Sequence, residues 1–309
     1  MGPALVLILQ LAGSSPRATA RSANLTAAAQ ASGRPRECAS AVHGSATKWG
    51  PNVWEAAREP NLERYCDLLA RGFGQLLLTP ETALETADLA DRAAPGHAAP
   101  SVLRGRAYAM LRLWPKAAVE LERARSVDSR SLEDPLTLRE WARALAATER
   151  APEALAAYRT LGPRVSIFPS PDERARTFLE GAELAFSLGP PTLDDAIAFL
   201  GEAKQLGVRE LEWRVSSELA LAFDRRAAKD EAAGLVMELS RRFRKEAKAQ
   251  TTSENREAQA AAALVLESID ARLAVEAWER YVTAAGPRGP WVDHAQKRIE
   301  LLRKKGRGG

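Results

Sequence analysis

The chain's 309 residues suffice for two average domains or one long repeat array, and its 46% hydrophobic share is carried by Ala and Leu, with 6% aromatics. That composition favours helix and argues against a strand-rich body, because the β-branched residues that suit a pleated surface are sparse. The 44 Lys and Arg against 40 Asp and Glu leave a net charge of +4, with both signs alternating as in Arg123 and Arg125 after Glu120 and Glu122, so the charges read as solvated helix faces and give no argument for nucleic-acid binding.

In chain order, Ala4 to Ala12 is a short apolar run followed by Gly13, Ser14, Ser15 and Pro16, and then by Ala18-Thr19-Ala20. About ten apolar residues cannot cross about 30 Å of hydrocarbon, and the small-residue exit suits a signal peptidase. Residues 1–20 therefore read as a signal peptide, and the expected location is exported, periplasmic or secreted. No Lys or Arg precedes the apolar run, which departs from the usual pattern; a buried first helix in a cytoplasmic protein is the alternative. Residues 21–60, rich in Ala, Ser, Gly and Arg without periodicity, read as a flexible entry segment. No later stretch is apolar enough to span a membrane. Cys38 and Cys66 are the two cysteines, and in an oxidising compartment two nearby thiols without competitors are expected to pair.

From Asn61 onward, helical pieces of about a dozen residues alternate with short breaks. The breaks fall at Pro95, Pro115, Pro135, Pro152, Gly162-Pro163, Gly189-Pro190-Pro191, Gly207 and Gly286-Pro287. The second helix of each predicted hairpin repeats a small residue, a bulkier one four later and another small or apolar one three after that. Ala83, Ala87, Ala90; Ala117, Leu121, Ala124; Ala154, Tyr158, Leu161; Ala196, Leu200, Ala203; Ala232, Val236, Leu239; and Ala274, Trp278, Tyr281 are the six instances. The spacing i, i+4, i+7 puts each triplet on one stripe, and the triplets recur with a period of about 34 to 42 residues. Trp291, Ala295, Ile299 and Leu302 then form one apolar face, as a capping helix over 286–305 requires, with 306–309 as a disordered tail.

These residues resemble the tetratricopeptide repeat family, in degenerate form, over 61–285. The best-matched unit is 98–131, with Gly105 and Tyr108 in the first helix and Ala117, Leu121 and Ala124 in the second; Pro95 ends the unit before it. Units 135–166 and 213–246 are weaker matches, and the one around 175–208 carries an insertion at Gly189-Pro190-Pro191. The resemblance implies an all-α fold, a right-handed α-solenoid of about five to six helix hairpins, each burying the face its neighbour cannot cover alone. It further implies a non-catalytic protein-binding scaffold whose inner curve is lined by first helices. Mapped onto this chain, the groove-facing positions include Val102, Arg106, Arg139, Arg143, Leu179, Arg176, Arg214, Ser217 and Leu221. Arginine recurs among them, and forked guanidinium donors suit an acidic protein or peptide.

Catalytic constellations are missing from the sequence. No Gly-rich loop ends in Gly-Lys-Ser/Thr, and Gly72-Phe73-Gly74 sits inside a helical run without a preceding strand. His43, His97 and His294 are isolated, whereas zinc needs several convergent ligands. Ser45-Ala46-Thr47-Lys48 lacks the companion motifs of penicillin-binding enzymes. Asp194-Asp195 after Thr192 suits a helix start, where negative charge complements the dipole, and Glu210 with Glu212 shows no buried cleft. The expectation is no cofactor, no metal, no small-molecule substrate and no nucleic acid, with an enzyme site hidden between helices as a further alternative.

Overall fold

The computed structural model describes residues 35, 37, 38, 61–251 and 255–307. The readings of residues 1–20, of most of 21–60, of His43 and of Ser45 to Lys48 lie outside them, as do Gly308 and Gly309. Among the described residues there are fourteen α-helices and no strand. Six hairpins follow in order: α1 (Leu62–Gln75) with α2 (Pro80–Ala93), α3 (Ala99–Met110) with α4 (Trp114–Val127), and α5 (Pro135–Ala147) with α6 (Ala151–Leu161). They continue with α7 (Pro171–Leu188) and α8 (Leu193–Gln205), α9 (Glu212–Arg225) and α10 (Lys229–Arg242), and α12 (Arg256–Leu266) and α13 (Ala271–Ala285). A short α11 (Arg244–Gln250) is inserted before the sixth hairpin, and α14 (Val292–Arg307) closes the array.

Local chemistry places the boundaries. Pro115, Pro135 and Pro152, taken in the sequence as breaks, lie in the first turns of α4, α5 and α6, where a missing N–H costs nothing and the fixed φ suits the helix. Asp134, Ser170, Asn255 and Asp270 accept N-terminal backbone N–H groups of α5, α7, α12 and α13. Thr192 does not cap α8; its hydroxyl donates to the Ala185 carbonyl at 2.7 Å. The turns inside three hairpins are the same device: Arg112, Glu149 and Ala227 have φ of 57°, 62° and 63°. The next residue's N–H in each returns 2.9 Å to the carbonyl five residues back: Leu113 to Tyr108, Arg150 to Leu145 and Ala228 to Phe223. This is a Schellman closure repeated at matching positions.

The predicted stripe is the seam of the array. Seventeen of its eighteen residues are buried, with Val236 half-buried. Trp291, Ala295, Ile299 and Leu302 are also buried, as the capping face requires, but the helix runs on to Arg307 rather than fraying at Gly306. Gly105 shows how closely α3 and α4 approach: a Cβ there would lie 2.5 Å from Leu121 Cγ and 3.3 Å from its backbone nitrogen. Because Leu121 is fully buried, it has little room to give way. Gly105→Ala is expected to cost about 1–3 kcal/mol in urea unfolding, and a loss below a few tenths would contradict this packing.

Candidate functional site

The first helices, α1, α3, α5, α7, α9 and α12, carry the residues assigned to the groove, and most of their arginines already have carboxylate partners. Arg106 Nε donates to Glu140 at 2.9 Å, Arg139 meets Glu173 at 2.8 Å, and Arg143 grips both oxygens of Glu180. Arg225 meets Glu257 at 2.5 Å. Each pair joins one first helix to the next. The partner lies 34 residues on from Arg106, 37 from Arg143 and 32 from Arg225, which is one repeat. Arg214 reaches back to Glu183 of α7 and also to Glu218, one turn on in α9. Arg176 is exposed and pairs with Asp172 in its own helix. Of the guanidiniums read from the sequence as ligand donors, those of Arg106, Arg139, Arg143 and Arg214 thus form a ladder between repeats, and that of Arg176 does not.

Burial disfavours the charged forms in this ladder, and the ion pairing works against it. Burial by itself would lower the Arg143 pKa, but the Glu180 hydrogen bond and charge outweigh it and hold it above the ordinary value. Burial raises the Glu140 carboxyl, against the pull of Arg106, Arg139 and Arg143. The sequence spaces these Arg and Glu residues by about one repeat, but the spacing alone does not name which carboxylate each arginine meets.

In the C-terminal half the inner side is filled. Leu179, Ser217 and Leu221, expected to face a groove, are buried. The C-terminal segment from Trp291 into α14 also reaches back past α13 to earlier units. Trp291 Nε1 donates to the Phe186 carbonyl of α7 at 2.9 Å, and His294 Nε2 lies 2.7 Å from Asp224 of α9. Arg298 binds Glu267 and Asp224. Burial would raise the Asp224 pKa, but the His294 hydrogen bond and the Arg298 charge pull it below the usual carboxylate value. At the centre, the side chain of Arg225 has no exposed surface. Its guanidinium lies over the rings of Trp291, Phe186 and Tyr281 at 4.6, 5.1 and 5.8 Å, a desolvated cation–π box.

Among the described residues the N-terminal half is open. A cleft of about 580 Å³ runs along the first three units, of a size that takes a short segment or small ligand. Phe73 of α1, Val102 and Arg106 of α3 and Thr137 of α5 line it, with Val127 and Ile167 on its walls. Val127 and Ile167 are 50% and 41% exposed. Arg130 and Arg164 are balanced at the cleft by Asp128 and Glu133. Of the groove residues chosen from the sequence, the structure brings Val102 and Arg106 to this cleft and places Arg139, Arg143, Arg176 and Arg214 in ion pairs outside it. Val127 and Ile167 were missed, because neither belongs to a first helix. Cys38 and Cys66 are joined by a disulfide. Among the described residues no cluster of three metal-binding side chains occurs, and no helix is long and apolar enough to cross a membrane.

No family model matches the sequence and no curated protein matches it. Among solved structures, Naa15/Naa10 bound to HypK-THB is similar at 13% identity and a TM-score of 0.43, over 79% of this chain and 35% of that one. The assembly chaperone of RpL4 (Acl4) is similar at 15% identity and a TM-score of 0.44, over 79% and 99%. A tetratricopeptide repeat protein from Parabacteroides merdae ATCC 43184 is similar at 12% identity and a TM-score of 0.37, over 77% and 98%. By the packing of its own hairpins, with Gly105 against Leu121 and the small–large–small stripe buried throughout, the chain has a tetratricopeptide-like all-α repeat fold.

Proposed function

We propose that this protein is a non-catalytic scaffold that holds a polypeptide segment of a partner protein in the N-terminal cleft, and that it works in an oxidising, exported compartment. The observation that carries this reading is the cleft itself. Successive first helices line it, and two large apolar side chains stand exposed on its walls, where covering them would stabilise a complex. The balanced charge around it suits a segment of mixed charge with an apolar anchor. The Cys38–Cys66 bond supports the compartment, because such bonds persist where thiols are not kept reduced.

Reversing Arg106, Arg139 and Arg143 to glutamate would set carboxylates against Glu140, Glu173 and Glu180, so lost binding could not be told from lost structure. A photo-reactive side chain at Ile167 avoids this, with the same group at exposed Thr283 as control. Cross-links to a partner in cell-envelope extract are expected from position 167, and Val127→Glu should remove them while leaving the helical spectrum unchanged. Equal cross-linking from 283, or none from 167, would sink the cleft. Mass spectrometry of the mature chain tests export: a start at Arg21 supports it and an intact Met1 refutes it.

A further inference from the structure

Because α3 packs against both α2 and α1, the first helices run in one direction and the turns closing successive hairpins share one edge of the array. On that edge the first two units differ from the others. Leu77 and Leu78, in the turn between α1 and α2, are 84% and 86% exposed. Leu113, 42% exposed, holds the Schellman position of the second hairpin, which is Arg150 in the third and Ala228 in the fifth. Three exposed cations flank these leucines: Arg71 near the end of α1, Arg112 in the second turn, and Lys116 at the start of α4. Lys116 Nζ lies over the Tyr108 ring at 5.5 Å. Among the described residues none of the three is in an ion pair, unlike the ladder arginines. Against them stands exposed Glu81 in the first turn of α2.

We infer that the tips of the first two hairpins dock on an anionic lipid bilayer, with the leucines in its interface and the three cations on headgroup phosphates. Shape and charge both favour this occupant. A protein partner reads a surface through close shape complementarity, but Leu77 and Leu78 project with most of their surface free and offer no concavity to fit. A bilayer interface accepts protruding apolar side chains without a matching pocket, and its negative surface attracts Lys and Arg. Each leucine taken out of water strengthens binding about tenfold or more, and each cation about fivefold. No described helix is long and apolar enough to cross a membrane, so the contact is peripheral and reversible. The three leucines do not line the N-terminal cleft, which stays open to a partner while this edge is seated.

The test uses the full chain with its disulfide intact and a polarity-sensitive fluorophore on Thr79→Cys, an exposed position whose side chain caps nothing. The same label on Thr283→Cys is the control, so that tethering by another part of the chain is told apart from insertion of the tips. Vesicles of phosphatidylcholine with about a third phosphatidylglycerol are expected to shift the emission at 79 to the blue and leave 283 unmoved. Leu77→Ser with Leu78→Ser should raise the lipid concentration at the midpoint at least tenfold, and Arg112→Gln with Lys116→Gln about twenty-fivefold, each with an unchanged helical spectrum. No shift at 79, equal shifts at 79 and 283, or midpoints untouched by both double substitutions would each overturn the inference. So would self-association in sedimentation that the serine pair abolishes while vesicles leave position 79 unmoved, which would give the edge to a second copy. Cross-linking from Ile167 judges the cleft independently of this edge.

Discussion

Trp278→Ala is expected to destabilise the protein by about 3–5 kcal/mol, the range for emptying a fully buried large aromatic site. Trp278 has no exposed surface. Its ring meets Tyr281 edge-on at 6.1 Å and His294 at 6.4 Å, so it fills the junction of α13 with the capping helix. Its Nε1 donates to Glu267 at 2.9 Å, but Glu267 is also held by Arg298, so no carboxylate is orphaned and the loss is mainly packing. Neighbours in a repeat array support one another, and the damage should be local first. Amide exchange over α12, α13 and α14 is expected to accelerate before that over α3 to α6. Uniform acceleration along the chain would contradict the repeat picture.

Glu218 gives the second large effect, and it depends on pH. It is fully buried on α9, and one carboxylate oxygen lacks a hydrogen bond. Burial pushes its pKa from 4.5 up to about 7, partly offset by Arg214. The folded state therefore holds a proton that the unfolded chain releases between about pH 4.5 and 7. Stability from this group is fully present below about pH 4.5 and is lost as the pH rises through 7, a difference of about 3 kcal/mol. Glu218→Gln should be near parity with the parent at pH 4.5 and more stable by up to about 3 kcal/mol at pH 8; Arg214 keeps Glu183 as its partner. Urea unfolding at the two pH values reads the difference, and a substitution that destabilises at pH 8 would show that Glu218 is held charged.

The two halves divide the work. In the C-terminal half, the arginine box around Arg225 and the return of the C-terminal segment tie α7, α9 and α13 together. In the N-terminal half the same kind of first helix faces a cleft, because no later unit curls back over it. The ladder pairs recur in both halves, so they keep the repeats in register whether or not a partner is present.

The local pattern of the chain was enough to determine the helical class, the hairpin units, the buried stripe and the capping face. Each is written in spacings of three or four residues, or in composition, and side-chain direction along a helix translates such spacings directly into a buried face. The inserted α11 was not legible, since Arg244 to Gln250 has no stripe of its own, nor was the fate of the arginines. Arg106, Arg143 and Arg225 find their carboxylates one repeat away, and Trp291 finds Phe186 across 105 residues. Such pairings depend on the angle between successive hairpins, which accumulates from packing at every seam. The tertiary structure alone therefore decided which inner positions are spent holding the fold and which are left facing the cleft.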